Sequence, residues 1–215
     1  MGVRVPDDFQ DGVIRFCLSI TRMADMQYSD FLDQVLDSDV LLFRGSPLYS
    51  RVIQRWTKSE YSHVALAVRT RAACREYVDC LEFMEGVGGR SYPIEVYLRQ
   101  GVKIDWFRLT DPTVDRCKSV SWFMERRGHQ YASPRQLFRS FVTVPLLESM
   151  GLPTKIDSNR YFCSYAVALA LEHGGLRLPL DDALRPELAS PGDISLLPCL
   201  HRMGPITLEA HRETI

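Results

Sequence analysis

The stretch "YSHVALAVRTRAACREYVDCLEFME", residues 61–85, decides the fold. Two runs rich in valine, leucine and aromatic residues, "SHVALAVRT" (62–70) and "EYVDCLEFME" (76–85), flank the short connection "RAAC". A connection that short joins antiparallel neighbours, because a parallel crossover needs a dozen residues or more. A β-hairpin is therefore predicted here. Upstream, "DVLLF" (39–43) reads as a buried strand, and downstream "VKIDWFRL" (102–109) alternates as a third paired strand.

Helical signals surround these strands. Val13, Ile14, Cys17, Ile20, Phe31, Leu32, Val35 and Leu36 recur at helical spacing over 9–36. Ser46 and Pro47 open a helix in "GSPLYSRVIQRWTKSE". In "TDPTVDRCKSVSWFMERRGHQY", Asp111 is the expected cap, Pro112 the first helical residue and Gly128 the stop, with His129 and Tyr131 at the helix end. "NRYFCSYAVALALEHGG" is a second such helix, ended by Gly174 and Gly175. "SPGDISLLP" (190–198) reads as a turn with a short apolar segment, and the tail from about 204 as frayed. Strands joined by short loops, followed by helices, give an α+β class: a small antiparallel β-sheet or half-barrel packed against helices. With 215 residues the chain is expected to form one domain, 1–215, with residues 1–37 as an N-terminal helical addition.

Composition narrows the function classes. The chain is 46% hydrophobic and 25% charged with a formal net charge of -1, which gives no electrostatic case for nucleic acid. No run is long enough to span a bilayer, and "MGVRVPDDFQDG" lacks the pattern of a signal peptide, so a cytoplasmic location is expected. The cysteines at 17, 74, 80, 117, 163 and 199 show neither C-x-x-C nor zinc-finger spacing, so reduced thiols, no metal and no cofactor are expected.

Cys163 stands at or near the first turn of its helix. Unpaired N–H groups and the positive end of the helix dipole stabilise a thiolate there, and the same groups suit an acyl oxyanion. Such a thiol needs an imidazole to activate it and a polar group to orient the imidazole. His63 heads one strand of the hairpin and Glu82 lies on the other with matching facing parity, whereas Glu85 has the opposite parity. Taken singly, Cys163 fits an inert buried thiol, His63 a structural histidine and Glu82 an exposed strand carboxylate. The three together point to nucleophilic catalysis. His173 lies about 15 Å along the helix from Cys163, too far to serve as the base.

The ordered set "DVLLFRG", "YSHVALAV", "CLEFMEGVGGRSYPI", "GHQY", "YFCSYAVALALEHGG" and "SPGDIS" resembles the circularly permuted NlpC-type, papain-like cysteine peptidases, in particular the YiiX-type branch. The resemblance covers roughly 38–197. It implies a permuted papain-like core there, with Cys163 as nucleophile, His63 as general base and later acid, and Glu82 as the orienting group. Tyr61, Tyr131, Tyr161 and Ser164 are the accompanying candidates for substrate binding, although packing also accounts for Tyr161. Tyr165 departs from the family, which often has an acidic residue there. Residues 132–160 carry Phe138, Phe141, Val142, Val144, Leu146 and Leu147 and form either a covering segment or a lid over the site.

The reading that follows is a thiol hydrolase, an amidase or peptidase, acting on a small peptide, amide or lipid-like substrate, with oligomeric state left open. Two alternatives stand beside it. One is a lipid acyltransferase or lipase of the lecithin:retinol acyltransferase type, in which a second histidine usually replaces Glu82. The other is a non-catalytic binding or structural protein on the same fold. Zinc held by the Cys, His and Glu is a minor variant.

Overall fold

The hairpin over 61–85 forms, and it lies within a larger sheet than the sequence predicts. The computed structural model describes residues 25–45, 59–132, 161–177, 186 and 189–208. Strand β3 (Tyr61–Ala72) pairs antiparallel with β4 (Arg75–Met84), and the turn residues Ala73 and Cys74 both take positive φ. β4 continues antiparallel into β5 (Gly88–Pro93). On the other side β3 pairs with β2 (Val40–Arg44), β2 with β6 (Lys103–Leu109), β6 with β7 (Leu200–Thr207), and β7 with the two-residue β1 (Met26–Gln27). The order is β1-β7-β6-β2-β3-β4-β5, and among these described strands β1 and β7 run parallel while the other neighbours are antiparallel.

Alternation along the strands gives the sheet two apolar faces. Val40, Leu42, Leu66, Leu81, Phe83 and Phe107 face α3 (Arg116–Glu125), α4 (Cys163–His173) and α5 (Pro191–Ser195). Leu41, Phe43, Ala65, Cys80, Ile104 and Trp106 face the other way, toward α1 (Tyr28–Gln34) and α2 (Ile94–Arg99). Phe31 of α1 meets Trp106 edge-on at 5.2 Å. None of the five described helices is long and apolar enough to cross a membrane.

Several local expectations are corrected. Over 25–36 the helix covers Tyr28–Gln34 alone, because Val35 turns extended at ψ 142°. The α3 helix starts at Arg116 rather than Pro112, capped by Asp115, which accepts from the Lys118 N–H. Asp111 instead accepts from the Thr113 N–H at 2.9 Å, and the Asp115 N–H is bound to the Gly174 carbonyl at 2.7 Å. A tertiary contact therefore selects the second of two competent caps. This helix ends at Glu125; a turn follows, with the His129 N–H on the Arg126 carbonyl, and Tyr131 lies beyond it in an isolated bridge to Tyr161. Residues 191–195 form a helix with a Ser190–Asp193 capping box, not a turn. β6 pairs with β2 and β7 in mid-sheet, and the tail expected to fray from about 204 is strand β7. Gly204 and Pro205 hide that strand; Pro205 is tolerated because β1 ladders only Ile206 and Thr207. The helix opening at Ser46, most of the covering segment 132–160, and residues 1–24 lie outside the described residues.

Asp39 locks β2 in place. It is fully buried, and its carboxylate accepts from Trp106 Nε1 at 2.9 Å and the Leu109 N–H at 3.1 Å while pairing with Arg108 and Arg116 at 2.9 Å each. Removing it takes the carboxylate from two arginines and leaves the buried Trp106 Nε1 and Leu109 N–H without an acceptor, so Asp39→Ala is expected to cost about 3 kcal/mol of stability, read as a lower midpoint in urea unfolding.

Candidate functional site

The β3–β4 register runs from Ala72↔Arg75 to Leu66↔Leu81 and stops there. Beyond it, β3 continues on β2 to Tyr61, with Phe43 opposite His63, and β4 continues on β5 to Met84, with Glu82 opposite Arg90. His63 and Glu82 stand on either side of this parting. His63 Nε2 lies 2.7 Å from Glu82 Oε2. Phe43 meets the imidazole edge-on at 5.0 Å and fixes its plane.

Helix α4 brings Cys163 to the same place. Its small, buried residues Ala166, Ala168 and Ala170 let it seat closely on the sheet. Phe162, extended at φ -109° and ψ 166°, supplies no side-chain cap, so the first-turn N–H groups are left to the cysteine. The Ser164 and Val64 N–H groups, the latter just past the end of the β3–β4 ladder, and the ring of His63 lie close enough to the sulfur to favour its thiolate. With Nε2 engaged by Glu82, Nδ1 is the nitrogen left for sulfur.

The electrostatics follow from these contacts. Burial alone would raise the Cys163 thiol, but the His63 charge and hydrogen bond and the two backbone N–H groups bring it below its ordinary value. Burial alone would lower His63, yet the Cys163 charge and the hydrogen bonds to Cys163 and Glu82 raise it from 6.5 to about 10. Burial opposes ionisation of Glu82, and the bonds from His63 and Tyr97 together with the Arg90 charge hold its carboxyl below the usual range. The three groups thus favour a thiolate, an imidazolium and a carboxylate in a row.

The four candidates for substrate contact fall out differently. Tyr131 bridges to Tyr161, and its hydroxyl lies toward Cys163; burial, then the Cys163 and Glu85 charges, push it well above the usual phenol value, so it stays a neutral donor. Tyr161 packs its ring against Phe83 at 5.0 Å and stacks on Tyr165 at 5.8 Å. The Tyr61 hydroxyl donates to Asp105 at 2.6 Å, and the Ser164 hydroxyl donates to the Ala189 carbonyl at 2.5 Å. Ser164 therefore meets the sulfur through its backbone, not its side chain. The segment leading to Tyr131 is pinned to β5: the Gly89 N–H donates to the His129 carbonyl at 3.0 Å, and a Cβ on Gly88 would stand 2.2 Å from that oxygen.

Two residues of the site were missed in the sequence. Arg90 Nε donates to Glu82 Oε1 at 2.8 Å, and the Tyr97 hydroxyl donates to the same oxygen at 2.6 Å. The signal was "EGVGGR" (85–90): read as a hairpin turn, it places Arg90 across from Glu82.

No protein-family model matches the chain, and no curated protein matches it. Among solved structures it is similar to the metalloprotein YiiX from Escherichia coli O157:H7 (DUF1105), with a TM-score of 0.54 and 16% identity over 79% of this chain and 96% of that one. This likeness establishes a YiiX-like α+β fold.

Withdrawing the imidazolium removes the largest charge that favours the thiolate. His63→Ala is expected to slow iodoacetamide alkylation of Cys163 at about pH 6.5 by roughly tenfold or more. Peptide mass spectrometry separates Cys163 from the exposed Cys74 and Cys117.

Proposed function

We propose that the chain is a cysteine hydrolase, an amidase or peptidase of the circularly permuted NlpC-type, papain-like kind. The observation that carries this is the meeting of Cys163, at an uncapped helix start, with a histidine whose far nitrogen is held by buried Glu82. The chain order His63, Glu82, Cys163 is the permuted order, and the YiiX-like fold supports it.

In this reading the Cys163 thiolate attacks the carbonyl carbon of an amide or ester. The C–S bond forms as the carbonyl π pair moves onto oxygen. The Ser164 N–H and the Tyr131 hydroxyl stand beside the sulfur as donors to that oxyanion. Collapse breaks the C–N or C–O bond, and His63 gives its proton to the leaving group. His63, now neutral, takes a proton from water. The hydroxide attacks the thioester, the C–S bond breaks, and the thiolate–imidazolium pair returns.

YiiX is described as a metalloprotein. The residues here do not fit a resident metal at this site. Both Glu82 oxygens are hydrogen-bonded, and one faces the Arg90 guanidinium. Among the described residues, no three His, Cys, Asp or Glu side chains form a metal-binding group. The acyltransferase alternative calls for a second histidine at Glu82, and the clamp of Arg90 and Tyr97 on that carboxylate favours the hydrolase.

Incubation with an activated acyl ester such as p-nitrophenyl acetate, followed by intact-mass analysis, tests the proposal. The expected result is an acetyl adduct on Cys163 and p-nitrophenol turnover that Cys163→Ala abolishes, with Glu82→Gln slower by about tenfold or more. Equal turnover by Cys163→Ala would overturn it.

A further inference from the structure

Resting on the reading of Cys163 as an activated thiol, we propose that Arg90 and Tyr97 are positioning residues that keep Glu82 a carboxylate throughout turnover, so that the catalytic line is a five-residue Cys163–His63–Glu82–Arg90–Tyr97 network.

The contacts form a closed set. Glu82 has no solvent exposure. Its Oε2 faces His63, while Oε1 accepts from Arg90 Nε at 2.8 Å and from the Tyr97 hydroxyl at 2.6 Å. Arg90 also donates from Nη2 to the Tyr97 hydroxyl at 2.7 Å, so Tyr97 accepts from the arginine and donates to the carboxylate. Both supporting groups are fixed by packing. The Arg90 guanidinium lies 4.2 Å over the Tyr92 ring, and Tyr97 meets Phe43 and Tyr92 edge-on at 5.1 Å each. Phe43 in turn abuts the His63 ring, so one aromatic layer sets both the base and the group that steadies its partner.

The chemistry explains why two further groups are present. In the resting pair the imidazolium compensates Glu82. Once His63 has given its proton to the leaving group, that compensation is gone. A fully buried carboxylate beside a neutral imidazole would then draw a proton, because burying a charge without a partner is strongly unfavourable. A protonated Glu82 could not hold His63 in the tautomer that accepts a proton from water. Arg90 supplies a positive charge that does not titrate, and Tyr97 supplies a donor that remains neutral. With Arg90 present, the four charges sum to zero in the thiolate–imidazolium state, and Glu82 with Arg90 sums to zero in the thiol–imidazole state.

The other titratable groups around the network do not perform this function. Cys80, on the same strand as Glu82, is pushed well above the ordinary thiol value by burial and stays neutral. Tyr131 faces Cys163 from the segment after α3 as a neutral donor, and Glu85, in the turn after β4, acts on Tyr131. Asp79 on β4 is hydrogen-bonded by Ser91 at 2.8 Å. Arg90 is thus the cation against Glu82 in addition to His63.

Removing a cation from a buried cluster raises the proton affinity of every acid in it, Cys163 included. The test is the pH profile of Cys163 alkylation by iodoacetamide, site-resolved by peptide mass spectrometry, in wild type, Arg90→Gln, Arg90→Lys and Tyr97→Phe. Arg90→Gln is expected to move the acid limb upward by about one pH unit, Tyr97→Phe by about half a unit, and Arg90→Lys to restore most of the shift. Tyr97→Phe removes one oxygen and keeps the ring, so it gives a readout even where Arg90→Gln impairs folding. A wild-type limb near the ordinary thiol value of about 8.5 would remove the activated-thiol reading itself. A depressed wild-type limb that neither Arg90→Gln nor Tyr97→Phe moves would overturn this inference alone.

Discussion

Past Leu66 and Leu81 the backbone ladder between β3 and β4 ends, and the His63–Glu82 hydrogen bond joins the two strands instead. The rest of the site depends on that parting. It leaves the Val64 N–H for the sulfur of Cys163, and it opens room at the sheet for the start of α4. It also puts an imidazole and a carboxylate on two strands that are each braced from outside, β3 by β2 and β4 by β5. A continuous ladder would have placed Ala65 opposite Glu82 and sealed the gap.

The three carboxylates with no solvent exposure among the described residues are held in the same way. Asp39, Asp105 and Glu82 are all fully buried, and each is held by at least one arginine. Asp39 joins Arg108 and Arg116, and Asp105 joins Arg44 and Arg202, so that strands and helices far apart in sequence are fixed in register. Breaking any of these sets leaves an uncompensated charge inside the protein. Glu82 differs in one respect: one oxygen is kept for a histidine that touches a thiol. The device that fixes the fold elsewhere is, in the function proposed above, turned on the ionisation state of the Cys163–His63 pair.

How much of this could be read from the chain depended on whether the signal was local. The hairpin was legible because alternating apolar residues and a short connection are local features. The helix start at Cys163 and the matching parity of His63 and Glu82 were legible for the same reason. The boundary of α3 was not, since Asp111 and Asp115 both suit a cap and the choice is made by the distant Gly174 carbonyl. β7 was missed because Gly204 and Pro205 look like breakers, and the shortness of β1, which makes them tolerable, is a property of the assembled sheet. Arg90 and Tyr97 went unnoticed because their roles exist only once β5 lies against β4 and α2 folds back over it. Ser164 follows Cys163 in the chain, but its hydroxyl turns to Ala189, a contact between segments 25 residues apart that no local signal announces.

The central claim is that Cys163 and His63 rest as a thiolate–imidazolium pair. Nitrogen-15 NMR of the His63 ring reads this directly, because imidazolium and neutral imidazole differ in the state of both ring nitrogens. The account expects both nitrogens to be protonated at about pH 7.5, with the imidazolium lost only as pH rises toward about 10. A His63 ring found neutral at that pH, with a single protonated nitrogen, would contradict it.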